Sequence, residues 1–329
     1  MKTTSKWLLR STGLAFALAA ALGTTQSSAL AQDYPSQDIR LVCAFPAGSG
    51  ADVLVRYFAE KLRPIVNRTV IVENKAGAGG NIASEYVSRA KPDGHVIFVH
   101  AATAVAANMS LFKNPPVDVG KTIQIAATIN RQPFMLVVDA KSPYKTVADL
   151  TAAMKKKGES ATYATAAPTG RIMGEIYKNA MGLKAVEVTY KTAPDSLNEL
   201  TSGKVDFGMH DPVFSLAQQR EGRLRILAVS TGERLAASPD LPTMTESGIK
   251  MDLTGWWAAM VPTGTPQPVI DQINKWFVQI VSSDDAKKFL NSFGGDPHIQ
   301  PPAEAQKRFL QDIKDWGDYV RMAKIEPQG

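Results

Sequence analysis

The chain has 329 residues, 44% of them hydrophobic, one cysteine, and 37 Lys and Arg against 31 Asp and Glu, for a formal charge of +6. A single cysteine excludes an internal disulfide framework, and the length exceeds what one core commonly serves, so two domains are expected. The weak basic excess has no concentrated patch, because the densest run, Lys155-Lys156-Lys157, reads as the solvated end of a helix; no nucleic-acid partner is expected.

The first residues carry Lys2, Lys6 and Arg10, then an apolar stretch from Gly13 to Gly23, then small residues ending in Ala29-Leu30-Ala31. That order predicts a cleaved signal peptide over residues 1–31 and export to the periplasm. The apolar run falls short of the roughly 20 residues that cross a bilayer. Cleavage removes three cations and lowers the formal charge to +3. Cys43 lies beyond the cleavage site in an apolar run and is expected to be a buried small hydrophobe.

In chain order, β-branched runs alternate with helix-period segments. Ile39 to Phe45 is followed by a helix, Val70 to Val72 by a helix, and Val96 to Val99 by a loop. This alternation predicts βαβ units and mainly parallel sheets. In the first helix Ala51, Leu54, Phe58, Leu62 and Ile65 recur at steps of three and four, with Pro64 near the expected end. After the Asn130 to Pro133 break come strands near Met135, Thr162, Val186, Val205 and Ile226, then a polar, Pro-rich stretch from Arg234 to Pro242. A returning strand at Trp256 to Val261 and two long amphipathic helices close the chain, the last with Phe309, Ile313, Trp316 and Val320 on one stripe. That terminal segment is a poor independent domain, so it is expected to pack back on the first lobe. The expected organisation is a two-lobed α/β clamp, lobe 1 formed by residues 32–131 plus 255–329 and lobe 2 by residues 132–254, with a cleft between them.

The loops carry the chemistry. Phe45-Pro46-Ala47-Gly48-Ser49-Gly50-Ala51-Asp52 is a Gly-rich turn that opens a helix. The unpaired N–H groups and the dipole at such a start form an anion site, for phosphate or carboxylate alike. Val53 stands where the third glycine of a dinucleotide fingerprint belongs, and no Gly-Lys-Ser/Thr follows, so no nucleotide cofactor is expected. Ser49 is not in a Gly-x-Ser-x-Gly elbow, which removes the simplest hydrolase reading. Asp52, in the first turn, complements the dipole or meets the ligand. Gly77-Ala78-Gly79-Gly80-Asn81 opens a second helix in a similar way.

The ordered set Tyr34-Pro35-Ser36, Phe45 to Arg56, Val72 to Ile82, Pro92-Asp93-Gly94, Tyr190-Lys191, Gly203-Lys204-Val205-Asp206 and Pro262 to Pro266 resembles the Bug family, the substrate-binding proteins of tripartite tricarboxylate transporters. The resemblance covers the chain from its mature N-terminus to the final helix. It implies a type II periplasmic-binding fold with the ligand between the lobes. The expected activity is capture of a small carboxylate by domain closure for membrane transporter subunits outside this chain, without catalysis. A periplasmic sensor presenting its loaded form to a receptor is the alternative. The resemblance also implies that backbone amides of the loop Gly48, Ser49, Gly50, Ala51 and Asp52 hold a ligand carboxylate; Ala47, just before it, joins the candidate ligand set. Thr165-Ala166-Ala167-Pro168-Thr169-Gly170-Arg171 is shorter than the Gly/Ser-rich stretch usual in the family, and Thr192 replaces the usual glycine after Tyr190-Lys191. Ligand identity therefore does not transfer.

Within that frame Arg171 is a candidate second anchor through a bidentate guanidinium; the alternatives are a solvated arginine or an inter-lobe ion pair. Thr103, in the expected loop after the third strand, offers a hydroxyl to the cleft or to its own turn. Thr165, Ala166, Thr169 and Asp211 complete the candidate ligand set. The four histidines have no metal-ligand spacing, so no metal is expected, nor any catalytic residue; a monomer is the default.

Overall fold

The computed structural model describes residues 34–329. The expected signal peptide lies outside the described residues, apart from which the chain forms two sheets, each with helices on both faces. The elements of the first are β1 (Ile39–Cys43), α1 (Gly50–Val66), β2 (Val70–Asn74), α2 (Asn81–Ser88), β3 (Val96–Ala101), α3 (Ala102–Leu111), α4 (Val119–Thr122) and β4 (Ile123–Gln132). The second follows with β5 (Met135–Asp139), α5 (Val147–Lys157), β6 (Thr162–Thr165), α6 (Pro168–Met181), β7 (Val186–Thr189), α7 (Leu197–Thr201), β8 (Phe207–His210), α8 (Pro212–Arg220) and β9 (Leu224–Val229). The chain then returns to the first sheet with β10 (Gly255–Pro262), α9 (Gln267–Val281), α10 (Asp284–Ser292), β11 (Asp296–Pro297) and α11 (Pro302–Met322).

Strand order is β11-β4-β10-β3-β1-β2 in the first sheet and β7-β6-β8-β5-β9 in the second. The two-lobed α/β fold is the expected one, but both sheets are mixed rather than mainly parallel. β10 runs antiparallel to β3 and β4, and β5 runs antiparallel to β8 and β9. Each of these strands enters its sheet directly from a crossing between the lobes, without a helical crossover to reverse its direction.

Period-two alternation assigns the two faces of the first sheet. Leu41, Val99, Trp257 and Ala259 pack under α1 and α9, whereas Val42, Phe98, Trp256 and Ala258 pack under α2, α3 and α11. Phe309, Trp316 and Val320 are buried on the stripe that the sequence predicts, with Ile313 packed beside them. Cys43 is buried in β1.

Three local expectations are corrected. An α-helix, not a loop, follows β3, since Ala102 to Leu111 contains neither Gly nor Pro. Pro64 sits inside the last turn of α1, which runs on to Val66 and stops at Asn67 in the left-handed region. A third, shorter helix, α10, lies between the two long terminal ones.

Both crossings between the sheets are knotted at Ser230. Its N–H donates to Phe134 O and its Oγ accepts from Phe134 N, at 2.9 and 2.8 Å. The same hydroxyl donates to Leu253 O at 3.0 Å, and Leu253 N–H donates to Ser230 O at 2.8 Å. Buried Met244, Ile249, Met251 and Leu253 continue one core from the first sheet into the second.

Behind these crossings Trp256 Nε1 donates to Asp312 Oδ2 at 2.7 Å. Burial pushes the Asp312 carboxyl up to about 6, so the fold favours its protonated form. The sign follows directly: the unfolded carboxyl titrates near 4, and stability falls as pH rises from about 4 to about 6, then levels off. Asp312→Asn keeps an acceptor for the indole and removes the charge. Melting curves at pH 4 and 7.5 should show the variant gaining about 1–3 kcal/mol on wild type at the higher pH, with little difference at pH 4. Identical pH profiles would exclude this account.

Candidate functional site

The turn between β1 and α1 is open. Pro46, Ala47, Gly48 and Gly50 are exposed, and Gly48 adopts φ +82°, a conformation that favours glycine. Beneath the turn Asp52, 1% exposed, ties it together. Asp52 Oδ2 accepts from Gly48 N–H at 2.8 Å and from Arg56 Nε at 2.8 Å; Oδ1 accepts from Asn74 Nδ2 at 2.7 Å. Burial pushes this carboxyl up, but the hydrogen bonds from Arg56, Asn74 and Gly48 outweigh it and hold it below the ordinary range. Asp52 therefore braces the loop. Ser49 Oγ caps α1 by accepting from Asp52 N–H at 3.2 Å. Among the described residues no acceptor serves the N–H groups of Gly50 and Ala51, which are the first-turn amides on the open side.

The rest of the first-sheet wall stands beside this turn. Thr103 lies in the first turn of α3, which has no side-chain cap, and its Oγ1 is 3.7 Å from the position a Cβ on Gly255 would take. Phe45, His100 and Trp257 form a ring layer, with Phe45 to His100 at 5.0 Å and His100 to Trp257 at 5.6 Å. Burial pushes His100 down to about 3, which leaves it neutral. Gly80, at φ +98°, leaves room for it: a Cβ there would lie 3.0 Å from His100 Nε2.

In the second sheet the expected residues divide. Ala166 and Thr169 are partly buried at the uncapped start of α6. Thr165 is buried, and its hydroxyl donates to Glu187 Oε1 at 2.6 Å. Arg171 Nε lies 2.9 Å from Glu187 Oε2, an ion pair within this lobe rather than between lobes, so its guanidinium is engaged with β7. Asp211 caps α8 by accepting from Phe214 N–H at 3.0 Å, and burial raises its carboxyl. Thr192 has a structural role: it closes a capping box with Asp195. His210, at the end of β8, is buried and neutral, pushed down to about 4 by burial, with Nε2 3.0 Å from Ser196 Oγ.

The two halves touch through α8. A Cβ on Gly50 would lie 3.6 Å from Val213 Cγ1 and 4.0 Å from Phe293 Cε1. One on Gly294 would lie 2.6 Å from Leu216 Cδ1 and 2.7 Å from Pro212 Cβ. Arg220 Nη2 donates to Ser292 O at 3.4 Å. The start of α8 thus brings Val213 against Gly50. Val213, Phe293 and Gly294 are functional candidates absent from the sequence reading; the Gly294-Gly295 doublet before β11 was the available signal.

A family pattern described as "Tripartite tricarboxylate transporter family receptor" matches residues 54–324. A UPF0065 protein of Bordetella bronchiseptica is 31% identical over 309 residues, 93% of this chain and 91% of that one. Protein BugT of Bordetella pertussis is 26% identical over 295 residues, 88% of this chain and 90% of that one. Among solved structures, R. palustris Rpa4515 with adipate superposes with a TM-score of 0.80 at 26% identity, covering 90% of this chain and all of that one. Periplasmic binding protein BugD superposes at 0.75 with 29% identity and the same coverage.

Proposed function

The chain belongs to the tripartite tricarboxylate transporter receptor family, and on that premise we propose that it captures a small carboxylate between its lobes and hands it to membrane transporter subunits. Membership of a family of periplasmic binding proteins supports binding rather than turnover as the activity. The observation that carries the reading is the pair of first-turn amides, Gly50 and Ala51, on an exposed turn facing α8 of the other lobe. Such amides and the aligned helix dipole favour an anion. That a relative of 26% identity was solved with adipate supports a carboxylate over a phosphate.

The proposed ligand set is the backbone of Ala47 to Ala51 with Thr103, Ala166 and Thr169. Asp52, Thr165, Arg171 and Asp211 hold these segments in place through the bonds described. The proposed lobes are residues 32–131 with 255–329, and residues 132–254, hinged at Ser230. Closure stabilises the loaded state because only there do both lobes meet the ligand. Residues 1–31 are proposed to direct export and to be removed. Among the described residues no helix is long and apolar enough to cross a membrane.

A thermal-shift screen of the purified protein against mono-, di- and tricarboxylates, each paired with its amide, tests this. A carboxylate at a hundred times its Kd should add about 2.7 kcal/mol of stability, and its amide none. Absence of any shift, both before and after unfolding and refolding to strip a retained ligand, would overturn the reading.

A further inference from the structure

We propose that the ligand is a carboxylate whose carbon next to the carboxyl group bears no hydroxyl or amino substituent, and that Val213 enforces this choice. The inference rests on the carboxylate site proposed at Gly50 and Ala51. Two independent observations carry it.

The first is what stands beside Gly50. Val213 Cγ1 and Phe293 Cε1 lie 3.6 and 4.0 Å from the Cβ position of Gly50, so the space in front of the first turn of α1 has apolar walls from both lobes. Val213 belongs to the first turn of α8 and remains 40% exposed, unlike its buried neighbours Pro212 and Phe214. An isopropyl group left accessible beside Gly50 is a surface for a ligand's carbon atoms. A carboxylate seated on the Gly50 and Ala51 amides brings its adjacent carbon to that surface.

The second is the state of the charged groups nearby. The Asp52 carboxylate is bonded to Gly48, Arg56 and Asn74; Glu187 is held by Thr165 and Arg171; Asp211 caps α8. Both oxygens of Asp52 and of Glu187 are thereby engaged within the protein, which leaves neither as a ready partner for an ammonium group. An ammonium or hydroxyl beside the ligand's carboxyl group would lose its water against Val213 and Phe293 without gaining a partner, and a charged group loses more than a neutral one. Recognition by amides and apolar side chains accepts an unsubstituted alkyl or aryl carboxylate and rejects its polar derivatives. For a hydroxyl added at an apolar wall the discrimination is roughly 10–100-fold.

Calorimetric titration of the whole protein tests the proposal with two matched series: glutarate, 2-hydroxyglutarate and glutamate; phenylacetate, mandelate and phenylglycine. The parent acid of at least one series should bind about tenfold or more tightly than both derivatives. Val213→Thr, which is isosteric and supplies a hydroxyl, should narrow the margin over the hydroxy acid to about threefold or less. A derivative binding as tightly as its parent overturns the proposal while the carboxylate reading stands. An unchanged margin in Val213→Thr overturns the role of Val213. If no member of either series binds but other carboxylates in the wider screen do, and these bear polar groups beside the carboxyl, the proposal falls alone; if no carboxylate binds at all, both fall together.

Discussion

Gly50→Leu should abolish ligand binding while leaving the fold intact. Gly50 is the first residue of α1 and does not occupy the left-handed region, so a side chain is conformationally allowed there. A Cβ at this position meets Val213 and Phe293 only at ordinary contact distance, and the helix interior does not depend on glycine at its first turn. Gly50→Ala is therefore the control, expected to bind within a few-fold of wild type. The longer leucine chain goes beyond a Cβ that already touches Val213 and Phe293, so it crowds the first turn where the carboxylate is proposed to sit and holds Val213 off. The melting temperature of the free protein should stay within about 2 °C, because surface substitutions away from special backbone and buried polar groups change stability little. A hundredfold loss of affinity would reduce stabilisation by ligand, at a concentration a hundred times the wild-type Kd, from about 2.7 to about 0.4 kcal/mol. Retention of affinity within threefold would show that the ligand does not use this turn.

The parts of this molecule that were legible in sequence are those governed by local periodicity. Alternation in Leu41-Val42-Cys43 and Trp256-Trp257-Ala258 assigns both faces of a central sheet, and the Phe309 to Val320 stripe assigns a covering helix. The Gly48 to Asp52 turn was equally readable, because glycines, a capping serine and an acidic third position describe a helix start by themselves. Strand direction was not, since an apolar run such as Met135 to Val138 has the same composition whichever way it enters the sheet. The helix holding Thr103 was missed for a related reason: Ala102, Val105, Ala106, Ala107 and Leu111 bury it nearly all round, leaving no polar face to mark its period. Arg171 shows where residue type misleads. Its partner Glu187 lies on a neighbouring strand whose register, Thr165 beside Thr189, fixes the ion pair, and no local pattern encodes that register. Val213 and Phe293 are separated by 80 positions, and only the folded chain sets them on either side of Gly50.

Gly294→Ala should weaken binding by blocking the approach of the lobes. Gly294 adopts φ +77°, which costs a residue with a Cβ roughly 1–2 kcal/mol, and this part of the effect acts on folding stability alone. The added methyl also meets Pro212 Cβ at 2.7 Å and Leu216 Cδ1 at 2.6 Å, both on α8 of the opposite lobe. Leu216 has rotamers to yield with; Pro212, at the first helical position, does not. Relief of the clash therefore requires α8 to withdraw, which draws Val213 away from Gly50 and opens the site. Affinity should fall about 10–100-fold, a cost of about 1.4–2.7 kcal/mol. Small-angle scattering should show that ligand no longer compacts the variant at concentrations that compact wild type. The two contributions separate in a cycle with Leu216→Ala, since shortening that side chain removes half of the clash but none of the backbone strain. In Gly294→Ala/Leu216→Ala affinity should recover in part while the loss from positive φ persists in the melting curve. Unchanged affinity in Gly294→Ala would mean that ligand binds without this contact, and capture would then have to proceed with the two lobes apart at α8.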